Sequence, residues 1–161
     1  MNQEKLTLFW KSKSPFSQWH KSEFVENGKR YTCAEQYMME QKALLMGDTK
    51  VAASIMALGY NPREYKSYGR KVTPFNQELW DQKATEIVFR GNYLKFTQNP
   101  HLLKKLYDTA GTTLVEASPY DTIWGIGLSA EDPRALNRES WRGTNWLGEV
   151  LTNLRKNLIG E

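Results

Sequence analysis

A chain of 161 residues, 40% hydrophobic and 25% charged, suits one globular domain, residues 1–161, with a sizeable core. No apolar run nears the roughly 18 to 20 residues that cross a bilayer, and the opening Met1-Asn2-Gln3-Glu4-Lys5 lacks a signal peptide's apolar segment, so the expectation is a soluble cytoplasmic protein without a membrane partner. One cysteine, Cys33, excludes an internal disulfide, and His20 and His101 stand too far apart for metal-ligand spacing, so a site without metal or cofactor is expected. A net charge of +4 and a pI near 9.1 favour anionic partners such as phosphates or nucleic acid. The basic residues are spread without a Lys/Arg block, however, and a solvated surface explains them equally well. Six tryptophans and eight tyrosines supply core, and also rings on which a base can stack.

Leu6-Thr7-Leu8-Phe9-Trp10 predicts a short strand, followed by a Ser-rich loop through Ser17. Phe24-Val25 and Arg30-Tyr31-Thr32 flank Asn27-Gly28, a pair that tolerates the positive φ of a tight hairpin turn. Thr32 is expected to cap a helix opening at Ala34. At 3.6 residues per turn Glu35, Met38, Met39, Lys42, Leu45 and Met46 share one face of it, whereas Glu40 lies elsewhere. Burying a charge is costly unless it is paired, so a carboxylate and an amine on an apolar stripe point to a reaction site.

A second helix is expected from Asp48 to before Gly59, and a third from Asn61-Pro62 to Gly69. Phe75-Asn76 introduces a longer helix running toward Phe96, and Asn99-Pro100 another that stops near Gly111. Thr113-Leu114-Val115-Glu116-Ala117 reads as a strand, then a turn follows at Ser118-Pro119-Tyr120-Asp121. In Trp124-Gly125-Ile126-Gly127 two glycines allow close approach of backbone to a ligand. A final helix begins after Gly143-Thr144, with Leu147, Val150, Leu151, Leu154 and Leu158 inward. The pattern is α+β and predominantly helical: a single compact multihelical domain with short N-terminal strands and a hairpin.

Taken singly, each candidate has a structural explanation. Thr32-Cys33-Ala34-Glu35 fits a capping box, in which the glutamate reaches back to the cap. Lys42 can snorkel past Met38 and Leu45 to water. Phe75 and Trp80 flank the presumed cap Asn76 as a hydrophobic staple, and aspartates such as Asp121 are common in turns. The helix after Thr144 offers free N–H groups to a phosphate, with Arg142 nearby. No Walker loop, Rossmann fingerprint or serine-nucleophile elbow is present.

Together these pieces resemble the NADAR, or YbiA-like, family over nearly the whole chain. The landmarks are Ser14-Pro15-Phe16-Ser17, Ala34-Glu35-Gln36-Tyr37-Met38-Met39 through Gln41-Lys42-Ala43, Gly69-Arg70, Trp80, Lys95-Phe96, Glu116 through Asp121, Trp124 through Gly127, and Trp141-Arg142-Gly143-Thr144-Asn145-Trp146-Leu147-Gly148. The chain departs from the family pattern at Gln18, Gln36 and Thr152.

The resemblance implies an N-glycosidase of mostly helical fold that cleaves between a ribose C1 and an exocyclic amine of a base. It implies two substrate groups, ribosylamino-pyrimidine phosphates of early riboflavin biosynthesis and guanine carrying ADP-ribose in DNA or RNA; no obligatory protein partner is expected. The family's catalytic glutamate, lysine, tryptophan and aspartate fall on Glu35, Lys42, Trp80 and Asp121. Phe16, Arg70, Trp124, Gly125 and Asn145 are the expected substrate-binding residues, with Trp80 or Trp124 stacking on the base, and Arg70 and the Asn145 helix start taking phosphate. Two routes stay open: direct hydrolysis with Glu35 or Asp121 activating water, and a Schiff base on Lys42. The rivals are a non-catalytic module that recognises ADP-ribose or nucleotides, which needs no interior amine and carboxylate, and a basic nucleic-acid-binding domain.

Overall fold

The computed structural model describes residues 4–161; residues 1–3, part of the opening segment without a signal-peptide pattern, lie outside it. In chain order the elements are β1 (Leu6–Phe9), β2 (Phe24–Glu26), β3 (Lys29–Tyr31), α1 (Ala34–Leu45), α2 (Thr49–Met56), α3 (Pro62–Gly69), α4 (Gln77–Thr97), α5 (Pro100–Tyr107), β4 (Thr113–Glu116) and α6 (Trp146–Ile159). Short 3₁₀ turns at Pro133–Leu136 and Arg138–Ser140 interrupt the irregular stretch before α6. The fold is α+β and predominantly helical, as the patterning predicts. The chain divides into two compact units, one taking the residues up to Ser17 together with Pro100–Glu161, the other Gln18–Asn99.

In the Gln18–Asn99 unit, β2 and β3 form the expected antiparallel hairpin, with Asn27 at φ 52° and Gly28 at φ 80° as a tight turn requires. Helix α1 is not a surface helix with one apolar stripe: Ala34 through Glu40 and Ala43 are all buried, because α2, α3 and α4 pack around it. Close approach depends on glycine. A Cβ at Gly69 would fall 2.1 Å from Met39 Sδ, and one at Gly91 would fall 2.7 Å from the Tyr37 ring.

That encirclement corrects two expectations. Glu40, assigned elsewhere on the circumference, is buried and accepts from the Tyr31 hydroxyl at 2.5 Å, Lys29 Nζ at 2.9 Å and Gln41 Nε2 at 3.2 Å. Thr32 is not the cap: Cys33 is, in extended conformation and without a side-chain cap bond. The reach-back to Thr32 is made one residue later than expected, by Gln36, whose Oε1 accepts from the Thr32 backbone N–H at 2.8 Å and its hydroxyl at 3.1 Å.

The other unit is built on a parallel pair, β1 with β4, in register from Leu6 opposite Thr113 to Phe9 opposite Glu116. Leu6 and Leu8 pack against Val115, Ala117, Ile126, Leu128 and Ala135. Helix α6 is tied to β4 by side chains: Asn145 accepts from Glu116 N at 3.0 Å and donates to Leu114 O at 3.0 Å, while the Thr152 hydroxyl accepts from Leu114 N at 2.9 Å. Leu147, Val150, Leu151 and Leu154 are buried as expected, and Leu158 is half-buried. Arg155, on the same helix, is wholly buried, donates to Thr109 and Thr112 and pairs with Glu161.

Candidate active site

Lys42 lies in the last turn of α1, half-buried, with its ammonium over two aromatic rings. Its Nζ is 4.9 Å from the Phe75 ring centroid and 5.6 Å from that of Trp80. Local sequence puts both rings there. Asn76 caps α4 by accepting from Leu79 N at 3.0 Å, so Phe75 immediately precedes the cap and Trp80 stands in the first turn, the two staple positions.

The segment around Phe75 is tied down on both sides. Asp48 caps α2 through Oδ1, which accepts from Val51 N at 3.0 Å, while its Oδ2 accepts from Thr73 N at 2.9 Å. These N–H groups hold the Asp48 carboxyl below its ordinary pKa. On the other side of Phe75, Asn76 N points to Met46 Sδ at 3.3 Å.

Three effects act on the Lys42 amine. Burial lowers its pKa most, the negative charge of Glu35 raises it, and the positive charge of Arg70 lowers it again. Glu35 is 4% exposed, in the first turn of α1, and its backbone N–H donates to Gln18 O at 2.9 Å. Because Gln36 makes the reach-back to Thr32, the capping-box explanation for Glu35 lapses. Arg70 is the exposed C-cap of α3. The Gln18–Asn99 unit thus brings Glu35, Lys42, Arg70 and Trp80 together.

Asp121, Trp124, Gly125, Asn145 and Phe16 all belong to the unit containing both chain ends. Asp121 organises its loop: Oδ1 accepts from Ile123 N at 2.9 Å and Trp124 N at 2.8 Å, leaving Oδ2 without a protein hydrogen bond among the described residues. Trp124 is half-buried and meets Trp146 edge to face, with centroids 5.4 Å apart. Phe16 is buried against Phe9, with ring centroids 5.6 Å apart.

Two expectations for this loop are corrected. The close approach at Gly125 is to the chain itself, since a Cβ there would fall 2.9 Å from Glu116 O and 3.0 Å from Asp121 O. The start of α6 offers no free N–H row to a phosphate either. Thr144, Asn145, Trp146 and Leu147 donate their backbone N–H groups to the carbonyls of Thr122, Gly125, Ile123 and Trp124 respectively, and the Asn145 side chain is spent on β4.

Sequence reasoning kept Phe75 as a staple and missed its place over the amine, although the Phe75-Asn76…Trp80 pattern carried the signal. It also missed Lys95 as an ionisable group. Lys95 is fully buried in α4, 4.9 Å from the Phe96 ring centroid, and burial lowers its pKa to about 7. The family departures prove internal. Gln18, Gln36 and Thr152 are all buried and hydrogen-bonded to neighbouring segments, Gln18 by accepting from Asn92 at 2.8 Å.

Comparison with known proteins gives the family and the reaction class. Residues 8–159 match the NADAR domain. The chain is 46% identical over 146 residues to N-glycosidase R617 of Acanthamoeba polyphaga mimivirus, covering 88% of this chain and 85% of that one. It is 31% identical over 141 residues to the chloroplastic riboflavin biosynthesis protein PYRR of Arabidopsis thaliana, covering 85% of this chain but 18% of that longer one. The NMR structure of the Escherichia coli protein YbiA superimposes with a TM-score of 0.78 at 25% identity, covering 98% of this chain and 87% of that one. The chain belongs to the NADAR domain family, and it is an enzyme of the N-glycosidase class.

Proposed function

We propose that this N-glycosidase cleaves the bond between a ribose C1 and an exocyclic amine of a base through a Schiff base on Lys42. The observation that carries the reading is the Lys42 amine over the Phe75 and Trp80 rings, with burial favouring its neutral, nucleophilic form. Glu35, on the same helix, opposes that shift, and in the proposal it also moves protons during exchange.

The glycosylamine first opens: the bond from C1 to the ring oxygen breaks, that oxygen takes the proton of the exocyclic nitrogen, and C1 becomes an imine carbon. Neutral Lys42 adds to C1, and a proton passes from its nitrogen to the nitrogen of the base. Glu35, in its acid form, gives that nitrogen a second proton, so the base leaves as a free amine and a lysine iminium remains beside the Glu35 carboxylate. Water then adds to C1 and returns a proton to Glu35, the hydroxyl proton passes to the Lys42 nitrogen as C1 becomes a carbonyl and Lys42 leaves as the neutral amine, the sugar recloses, and one water has been consumed.

Ribosylamino-pyrimidine phosphates and guanine bearing ADP-ribose on its exocyclic amine share this bond, and both are assigned as substrate groups. The names of the mimiviral relative and of PYRR support the reaction type and the first group respectively. Arg70 is assigned to substrate phosphate, and Trp80 or Trp124 to stacking on the base. Phe16 is assigned to substrate contact, and Gly125 and Asn145 to holding the loop that carries Trp124 and Asp121. Asp121 is assigned to activating water through Oδ2.

Borohydride reduction during turnover tests the route. A sugar adduct on Lys42, absent in Lys42→Arg, is expected. Turnover without any adduct on Lys42 overturns the Schiff base in favour of direct hydrolysis, and no release of base from either substrate group overturns the assignment of substrate.

A further inference from the structure

The unit that contains both chain ends carries an aromatic and basic patch to which the proposed reaction gives no role. Trp10 directly follows β1, and Tyr120 lies in the loop after β4. Because these strands run parallel, and Ala117 N continues the ladder by donating to Phe9 O at 2.9 Å, both rings emerge beyond the same carboxyl ends of the sheet. The ring centroids are 5.9 Å apart with planes tilted by 52°. Tyr120 is nonetheless 85% exposed, so most of its ring has no protein neighbour.

Charge joins the rings at this edge. Lys11 Nζ stands 5.0 Å from the Trp10 ring centroid. Lys11 also adopts φ 75°, a left-handed conformation that a residue other than Gly, Asn or Asp seldom takes, and its carbonyl accepts from Ser14 N at 3.1 Å to close the turn. Lys13 is exposed in the same turn, and the segment Trp10-Lys11-Ser12-Lys13-Ser14 holds two lysines and no acidic residue.

We propose that Trp10, Tyr120, Lys11 and Lys13 form a binding site for single-stranded nucleic acid. Bases stack on the Trp10 and Tyr120 rings, and Lys11 and Lys13 neutralise the adjoining phosphates. An open platform with ammonium groups two positions apart on a surface turn suits a backbone running past it, whereas a free mononucleotide calls for an enclosing pocket. Stacking on ring faces discriminates little between bases, so the site tolerates sequence. The proposal does not depend on the role of Lys42, and binding is read without turnover.

The test uses the full chain and a fluorescently labelled ten-residue oligo-dT, with anisotropy followed across a salt series. Tyr120→Ala is expected to raise Kd roughly 5- to 150-fold, the range for loss of one stacked base. Tyr120→Phe, which keeps the ring, is expected to bind like the parent. Lys11→Ala is expected to flatten the dependence of log Kd on log salt by about 0.7. The single strand should also bind better than a ten-pair duplex and better than AMP. Parental affinity in Tyr120→Ala overturns the proposal, as does equal loss in Tyr120→Phe. A duplex that binds as tightly overturns it in favour of a general basic surface, and AMP competing at equal affinity overturns it in favour of a free-nucleotide site.

Discussion

Lys42 is pulled in opposite directions by two charged neighbours, and its titration separates them. In the proposed route the neutral amine is the nucleophile, so imine formation there rises with pH through the Lys42 pKa. Glu35 raises that pKa and Arg70 lowers it. Glu35→Gln is therefore expected to move the rising limb to lower pH, and Arg70→Ala to higher pH. The pH profile of Lys42 acylation by a small anhydride, followed by peptide mass, checks both, and parallel shifts in the two variants contradict this account. Lys95 gives a prediction about stability. Its pKa is about 7 in the fold against 10.5 for an ordinary lysine, so the unfolded chain binds more protons between those values and stability rises with pH across that window. Lys95→Met is expected to stabilise the protein at pH 7. Between pH 7 and 9 its advantage over the parent should shrink by roughly 1 kcal/mol per pH unit, measured by urea denaturation. Single residues were the hardest scale to read from sequence: Glu35 and Lys42 stood out by periodicity, but Glu40, Lys95 and Arg155 gave no signal because their burial is set by distant segments.

Among the elements, α6 and β4 are joined through small and polar side chains rather than through apolar contact alone. A Cβ at Gly148 would fall 2.1 Å from Leu114 O and 2.4 Å from Asn145 Oδ1, atoms fixed by the strand and by the Asn145 bridge. At Gly69 the obstacle is the thioether of Met39, which has rotamers to use. Gly148→Ala is thus expected to cost roughly 1 to 3 kcal/mol and Gly69→Ala less, by chemical denaturation. Asn145→Ala leaves Glu116 N and Leu114 O without this partner and should cost about 2 kcal/mol. Helices were readable because their punctuation is local: Asp48, Asn61 and Asn76 each cap the helix they were expected to open, each accepting from a backbone N–H three residues on. The start of α1 was misread because Thr32, Cys33 and Gln36 are equally local alternatives, decided by how the preceding strand enters the helix. The saturation of the α6 N-terminus was hidden for another reason, since the carbonyls that occupy it come from an irregular loop.

For the whole molecule, the least legible feature was the pairing of β1 with β4, since no local pattern couples Leu6 to Thr113. Its consequence is that one unit is assembled from both ends of the chain. Removing the residues up to Ser17 takes away β1 and uncovers Val115 and its cluster. Such a truncation is expected to abolish cooperative unfolding of that unit, read as loss of hydrogen-exchange protection in β4 and α6. Full protection there contradicts the pairing.

The cap of α1 also lends itself to measurement. Cys33 is wholly buried, and burial pushes its thiol up to about 11, so at neutral pH it is both shielded and protonated. It is the protein's one thiol, so an alkylating reagent can react only when the start of this helix opens. Labelling kinetics on the unmodified chain therefore clock, with no introduced probe, the local opening of the helix that carries Glu35 and Lys42. A ligand that closes this region will announce itself as a slower clock.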